Sequence, residues 1–137
     1  MTNLTLEEKQ ELIRMALAAR EKAYAPYSNF MVGAALRAKD GRIYTGCNVE
    51  NAAFGSTICA ERTALLKAVS EGRRTGWMTL AIAGRGSDFC WPCGACRQML
   101  YEFAPGLRVL AARGDGAFET ATLGQLMPHG FGPLSLQ

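Results

Sequence analysis

The segment PCGACRQML carries two cysteines, Cys93 and Cys96, separated by two residues at the start of a predicted helix. A third cysteine, Cys59, begins another run of good helix formers, CAERTALLKAV. Helix starts have unpaired N–H groups and a partial positive charge, and both favour a thiolate over a thiol. Three thiolates from two helix starts would hold Zn²⁺ and leave one position open, as in catalytic zinc sites.

Glu61 follows Cys59 by two positions, where a carboxylate would lie near a water on the metal without being a ligand itself. It could accept a proton from that water and return it to a substrate. The two-part pattern, Cys-x-Glu and then Pro-Cys-x-x-Cys, has the form of a zinc-deaminase signature with cysteine in place of histidine. Three thiolates around Zn²⁺ leave a net charge of about −1. Arg62 and Arg97 could moderate that charge by donating to the sulfurs.

Other interpretations of the cysteines fit less well. A redox disulfide would account for Cys93 and Cys96 but would leave Glu61 without a purpose. The run CWPCGAC resembles the opening of an iron–sulfur cluster motif, yet Leu100 stands where the fourth cysteine is required. Plain burial of small cysteine side chains remains the alternative for a CxxC pair taken alone.

Cap and turn signals divide the chain into the elements that must position these residues. Thr5 and Glu8 form a capping-box pattern before a helix that reaches about Ala23, and Asp40-Gly41 indicates a hairpin turn between MVGAALRA and RIYTGCNV. Further along come the helix CAERTALLKAV, the strand MTLAIAG, the helix CGACRQMLYEF, the strands LRVLAAR and AFETATL, and the helical turn TLGQLMP. This order predicts a three-layer α/β/α domain with a five-stranded mixed sheet over residues 1–137.

Composition excludes several classes of protein. The chain has 137 residues, 49% hydrophobic and 20% charged, with a net charge of +3 and no basic stripe. We therefore expect no nucleic-acid partner, and no apolar run predicts a membrane span. The polar start MTNLTLEEKQ is not a secretory signal, and five cysteines do not make a disulfide framework, so we expect a cytoplasmic protein with a small-molecule substrate.

Five segments in order make the sequence resemble the cytidine deaminase family, specifically its small homotetrameric type: AYAPYSNFMVGAAL, GCNVENAAFG, CAERTALLKAV, PCGACRQ and LMPHGF. The resemblance implies a cytidine-deaminase-like fold with one Zn²⁺ per chain on Cys59, Cys93 and Cys96. It also implies hydrolytic deamination of cytidine and 2′-deoxycytidine in pyrimidine salvage, in homotetramers with shared active sites.

The resemblance further implies a role for each matching residue at the substrate. Phe30 would face the pyrimidine ring, Asn48 and Glu50 would bind the ribose 3′-hydroxyl, and the Ala60 backbone with Glu61 would hold the base edge. Phe131 matches a late aromatic that packs over the substrate of a neighbouring subunit.

The chain departs from the family at Phe54, where many members have tyrosine, so a hydroxyl near the sugar or the subunit interface is missing. Cys90 and Cys47 lie outside the signature, and we expect a free thiol and a small buried one, respectively. The alternatives for function are a deaminase of a related cytosine nucleoside such as blasticidin S, or a non-catalytic zinc-binding module.

Overall fold

A computed structural model describes residues 3–137, and its elements follow the predicted order. The helices and strands are α1 (Leu6–Arg20), β1 (Gly33–Ala38), β2 (Ile43–Cys47), α2 (Ala60–Ser70), β3 (Trp77–Ala83), α3 (Gly94–Phe103), β4 (Arg108–Ala112), β5 (Phe118–Thr122) and α4 (Leu123–Leu126). Short 3₁₀ turns occur at Phe54–Ser56 and Pro133–Leu136. Within residues 3–137, none of the helices has the length and apolar character needed to cross a membrane.

Helix α1 begins as predicted but ends earlier. The Thr5 hydroxyl accepts from the Glu8 N–H, and the Glu8 carboxylate accepts from the Thr5 N–H, which completes the capping box. The last α-helical residue is Arg20 instead of Ala23, because the N–H of Ala23 bonds to the carbonyl three residues back. The chain then leaves the helix so that the Tyr24 N–H can bond to the Asn48 carbonyl.

The five strands form one sheet in the order β2-β1-β3-β4-β5. Strands β3 and β4 are parallel, and every other neighbouring pair is antiparallel, so the sheet is mixed as predicted. A parallel pair needs a crossover connection, and α3 lies within that crossover. Strand β3 is the third of the five strands in this order and so lies at the centre of the sheet. Because helices cover both faces there, its sequence is almost entirely apolar.

The two faces of the sheet are covered by different helices, which gives three layers. On one face, α1 packs against small side chains, including Ala35, Ala81 and Ala83. On the other face, α2 and α3 pack against larger ones, including Leu36, Leu80, Ile82 and Val109. Ala64, Leu65 and Ala68 of α2 are all fully buried in this second layer.

Helix α2 approaches strand β2 closely because of Gly46. A Cβ atom at this position would lie 2.6 Å from the Ala60 carbonyl and 2.5 Å from the Ala64 N–H nitrogen. Any side chain larger than hydrogen would push the start of α2 away from the sheet. Gly46 thus sets the depth of the helix start that carries Cys59 and Glu61.

Candidate metal centre and substrate pocket

The three signature cysteines lie at the starts of two helices. Cys59 is the N-cap of α2, Cys93 is the N-cap of α3, and Cys96 is in the first turn of α3. Neither N-cap side chain accepts a hydrogen bond from the backbone N–H groups of its own helix, so both sulfurs remain available for other partners. The two helices converge at these ends, although Cys59 and Cys93 are far apart along the chain.

The sulfur geometry fits Zn²⁺. The Sγ of Cys93 lies 3.9 Å from that of Cys59 and 3.3 Å from that of Cys96, and all three sulfurs lie within 4.8 Å of one another. Sulfurs at about 2.3 Å from a tetrahedral zinc ion stand about 3.8 Å apart. The residues present therefore match a three-thiolate zinc site, and within residues 3–137 this is the only such cluster of potential metal ligands.

Cys59 and Cys96 differ in how readily their thiols lose a proton. The neighbouring Cys96 thiol, with further contributions from Arg62 and Cys93, lowers the pKa of Cys59 to about 5. The same interaction, together with burial, raises the pKa of Cys96. Metal binding requires thiolates and so displaces protons. Of Cys59 and Cys96, Cys59 has the lower pKa and therefore loses its proton more readily.

Glu61 is buried at the start of α2, with only 4% of its surface exposed. Burial raises the pKa of Glu61 to about 7, and the negative charge of Cys59 acts in the same direction. A carboxyl group whose pKa is near neutrality can both accept and donate a proton under ordinary conditions. Ala60, the residue before it, is also fully buried and occupies the first position of the helix.

Only one of the two predicted arginines contacts a sulfur. Nη2 of Arg62 lies 3.5 Å from Sγ of Cys59 and also donates to the Thr57 carbonyl. The prediction for Arg97 is wrong: its Nε donates to the Pro92 carbonyl at 2.7 Å and its Nη1 to the Leu126 carbonyl at 2.8 Å. Arg97 follows Cys96 directly on α3 and therefore points to a different side of the helix.

Asn48 holds the loop that contains Phe30. Its side chain is buried; Nδ2 donates to the Phe30 carbonyl at 2.8 Å, and Oδ1 accepts from the Val32 N–H at 2.9 Å. An asparagine amide has one further donor hydrogen and one further lone pair. The residue that the resemblance links to the ribose thus also fixes the backbone on both sides of Met31.

Glu50 holds the same loop further along. Its carboxylate accepts from the N–H groups of Tyr27 and Ser28 and from the Ser28 hydroxyl. The Ser28 hydroxyl hydrogen bond lowers the pKa of Glu50, as do the two N–H groups, so this carboxylate is charged at neutral pH. Sequence reasoning missed Ser28 because a serine in a loop gives no signal of its partner.

Phe30 and Cys90 meet over Gly84 at the end of β3. A Cβ atom on Gly84 would lie 3.1 Å from Cζ of Phe30 and 3.1 Å from Sγ of Cys90. Burial raises the pKa of Cys90 to about 12, with contributions from the charges of Glu61 and Cys59. The free thiol expected at Cys90 is therefore protonated and lies on the same side of the molecule as the metal centre. Cys47 is also free, but it is half-buried instead of fully buried.

A pocket of about 380 Å³ opens between the loop and the start of α2, lined by Tyr27, Ser28, Glu50, Phe54 and Thr57. The rings of Tyr27 and Phe54 stack edge-to-face with centroids 5.8 Å apart. Phe54 is exposed over 73% of its surface and Phe131 over 57%. Phe54 and Phe131, which both lie in segments that resemble the family, thus have largely exposed rings on the surface of the isolated chain.

Arg85 is a further residue that sequence reasoning missed. Its Nη1 donates to the Asn29 carbonyl at 3.0 Å, and Asn29 adopts a left-handed backbone with φ 59°. The two residues are far apart in sequence, so no local pattern could have connected them.

Comparison with known proteins gives a consistent result. Residues 6–112 match the family model described as the cytidine and deoxycytidylate deaminase zinc-binding region. A cytidine deaminase of Sporosarcina psychrophila is 48% identical over 123 residues, covering 89% of this chain and 90% of the relative. A cytidine deaminase of Mycobacterium tuberculosis is 44% identical over 120 residues, covering 85% of this chain and 84% of the relative.

Solved structures agree with the sequence matches. The crystal structure of a cytidine deaminase from Burkholderia pseudomallei superposes with a TM-score of 0.87 at 46% identity, covering 93% of this chain and all of that one. That of a cytidine deaminase from Mycobacterium tuberculosis superposes with a TM-score of 0.77 at 39% identity, covering 89% of this chain and 95% of that one.

Proposed function

Because the chain belongs to the cytidine deaminase family and is a zinc-dependent cytidine deaminase, we propose that Glu61 is its catalytic acid and base. The reaction is hydrolytic: cytidine or 2′-deoxycytidine and water give uridine or 2′-deoxyuridine and ammonia. The observation that carries the assignment is the buried carboxylate of Glu61 at the start of α2, two residues from Cys59 in the chain and close enough to Cys59 and Cys96 for both to affect its pKa.

Cys59, Cys93 and Cys96 hold the metal in this proposal. Zinc, when bound to them, lowers the pKa of a water towards neutrality and so supplies hydroxide for attack at C4 of the cytosine ring. Arg62 donates to Sγ of Cys59 and so offsets part of the negative charge that three thiolates bring.

Glu61 moves the protons. Its carboxylate accepts one proton from the attacking water and donates it to N3 of the ring. It then accepts the second proton of that water from the new hydroxyl group at C4 and delivers it to the amino group, which leaves as ammonia when its bond to C4 breaks. Each proton removed from the water is thus returned to the substrate or to ammonia. Because the carboxylate is buried, bulk water competes little for these hydrogen bonds. Ala60 is the first residue of α2, and the first N–H groups of a helix have no partner within it, so the Ala60 N–H is available to the base edge.

The substrate is held by the loop between α1 and β1 and by the polar residues that fix it. Phe30 faces the pyrimidine ring, with Asn48 and Glu50 towards the ribose hydroxyl. Their contacts support this role because both side chains hold the loop that carries Phe30, and Glu50 also lines the pocket of about 380 Å³. A nucleoside bound there meets groups that are already ordered before it arrives.

The proposal includes a homotetramer with shared active sites, a cytoplasmic location and a role in pyrimidine salvage. The exposed rings of Phe54 and Phe131 support assembly, since large apolar side chains at the surface are typical of interfaces. Five free cysteines are consistent with a reducing compartment.

The test follows the loss of cytidine's ultraviolet absorbance after addition of the purified protein, with zinc measured on the same sample. We expect conversion with about one zinc per chain. Zinc without turnover on cytidine or 2′-deoxycytidine would contradict the proposal. The next substrate would then be a related cytosine nucleoside such as blasticidin S, and turnover of none would favour a zinc-binding module.

A further inference from the structure

Two glycines flank Phe131, and both contact the same aromatic ring. A Cβ atom on Gly130 would lie 2.9 Å from Cζ of Tyr101, and one on Gly132 would lie 2.8 Å from Cε2 of that ring. Neither glycine has a left-handed backbone, and Gly132 has an extended φ of −156° that any residue can adopt. The requirement for glycine therefore comes from Tyr101 at position 132, and from Tyr101 together with Met127, at 3.2 Å, at position 130. The backbone of residues 130–132, which we call the Phe131 segment, lies directly on this ring.

A second contact holds the Phe131 segment to the same face of α3. Nε2 of Gln98 donates to the Phe131 carbonyl at 2.8 Å. Gln98 and Tyr101 are three residues apart on α3 and so lie side by side on its surface. Helix α3 thus fixes the main chain of the segment at three consecutive residues.

The side chain of Phe131 is left outside this arrangement. Its surface is 57% exposed, although the backbone that carries it is fixed. A bulky ring held on a fixed backbone loses little further freedom when it packs against a partner, and such preorganisation increases affinity. Gly130, Gly132, the Tyr101 ring and the Gln98 amide together therefore fix the direction in which the exposed Phe131 side chain leaves the backbone.

We propose that Tyr101 and Gln98 are positioning residues that fix the Phe131 segment on α3 so that the Phe131 ring reaches the substrate pocket of a second copy of this chain. The proposal rests on the proposed function, in which Phe131 packs over the substrate of a neighbouring subunit. Tyr101 acts through the carbon atoms of its ring. Its hydroxyl has no hydrogen-bond partner within residues 3–137, so phenylalanine should serve equally well.

The experiment compares steady-state kinetics on cytidine for the zinc-loaded Phe131→Ala, Gly132→Ala, Tyr101→Ala and Tyr101→Phe variants. Gly106→Ala is the matched control, because a Cβ atom there meets nothing within 4 Å and the position lies outside the site. Kinetic constants are expressed per bound zinc, and the mass of the assembly is measured by light scattering.

We expect Phe131→Ala, Gly132→Ala and Tyr101→Ala each to raise KM by about five- to tenfold, the usual value of an aromatic contact. Their kcat per zinc and assembly mass should stay close to those of the parent chain. Tyr101→Phe and Gly106→Ala should match the parent in KM. The double variant Gly132→Ala with Tyr101→Ala should be no worse than either single one, because both act through one contact.

The outcomes separate this inference from the proposed function. If Phe131→Ala leaves KM unchanged, the proposed role of Phe131 is wrong and the inference fails with it. If Phe131→Ala raises KM but Gly132→Ala and Tyr101→Ala do not, only the inference fails. A smaller assembly mass in Gly132→Ala or Tyr101→Ala would overturn the positioning role, because the contact would then be needed for the assembly itself. An equal fall of kcat in Phe131→Ala, Gly132→Ala and Tyr101→Ala would overturn it too, because the contact would then support the structure as a whole.

Discussion

The side chain of Asn48 bonds to the main chain on both sides of Met31: Nδ2 donates to the Phe30 carbonyl at 2.8 Å, and Oδ1 accepts from the Val32 N–H at 2.9 Å. The resemblance connects Asn48 and Phe30 only through the substrate, whereas the structure shows a direct hydrogen bond between them. In the proposed function the Phe30 ring faces the pyrimidine, so we expect this buried amide to couple the stability of the loop to the affinity for the nucleoside.

Replacing Asn48 by alanine should affect both properties. The substitution leaves the Phe30 carbonyl and the Val32 N–H without their partner, and an unsatisfied buried polar group costs about 1–3 kcal/mol. We expect a lower free energy of unfolding in urea and a higher KM for cytidine. Asn3→Ala is the control, since within residues 3–137 the exposed Asn3 side chain accepts a hydrogen bond only from the N–H of its neighbour Leu4. Unchanged stability and KM in Asn48→Ala would contradict the role of this residue.

The variant Glu61→Gln should keep its fold and its zinc but lose turnover. Glutamine has nearly the same shape but cannot move protons, and general acid–base catalysis contributes about 10²- to 10⁴-fold. Steady-state rates and zinc content measured on one sample would test this. Glu71→Gln, at an exposed carboxylate paired with Arg42, should behave like the parent. An active Glu61→Gln protein would refute the catalytic assignment.

Removal of one signature thiol should remove the metal. Cys93→Ala leaves two sulfurs, so we expect the protein to lose stoichiometric zinc and, because metal binding is coupled to folding, thermal stability. Cys47→Ala removes a free thiol outside the sulfur cluster and should retain zinc. Zinc analysis after dialysis distinguishes the two, and a Cys93→Ala chain that still bound one zinc would exclude Cys93 as a ligand.

Arg62 should influence the affinity for zinc without being a ligand. Arg62→Ala removes the donor 3.5 Å from Sγ of Cys59, and loss of such a partner of a metal ligand lowers affinity by about 10- to 100-fold. Competition with a chelator of known affinity measures this. Arg14→Ala, at an exposed position on α1, serves as the control. Equal zinc affinity in Arg62→Ala and Arg14→Ala would show that the hydrogen bond to Cys59 does not matter.

The α1 cap should make part of the stability depend on pH. The Thr5 N–H, and then Arg37, hold the pKa of Glu8 below its ordinary value of 4.5. A carboxyl with a lowered pKa in the folded state stabilises the protein above its unfolded pKa, and this contribution is lost as the pH falls through its folded pKa. We therefore expect Glu8→Ala to unfold at lower urea than the parent at about pH 7.

The difference between these two proteins should shrink as the pH is lowered below about 4.5. Acid also weakens zinc binding, but it does so in both proteins, so the difference between them isolates the cap. Glu7→Ala, one residue earlier, provides the comparison for a carboxylate outside the capping box. A gap between parent and Glu8→Ala that stays constant down to about pH 3 would contradict the charge-dependent role.

Local signals in the sequence predicted most of the elements correctly. Thr5 with Glu8 begins α1, Asp40-Gly41 turns the first hairpin, and Cys59 and Cys93 are the N-caps of their helices. Such features depend on residues within a few positions of one another. The prediction for Arg97 was wrong because it depends on a distant partner. The Arg97 guanidinium bonds to the carbonyl of Leu126, 29 residues away, and nothing near Arg97 in the chain indicates that partner.

The sequence by itself determined the donor set of this protein: three cysteines at two helix starts, with a glutamate two residues from one of them. It also determined the order of strands and helices along the chain, since caps, turns and apolar periodicity are read over short distances. The tertiary structure decided the rest. The strand order β2-β1-β3-β4-β5 brings the starts of α2 and α3 together, so that sulfurs 34 residues apart in the chain lie 3.9 Å apart in space. The tertiary structure also decided that Asn48 bonds to the backbone at Phe30 and that the Phe131 segment packs on Tyr101. These residues are distant in the chain, so only the folded structure determines that they are in contact.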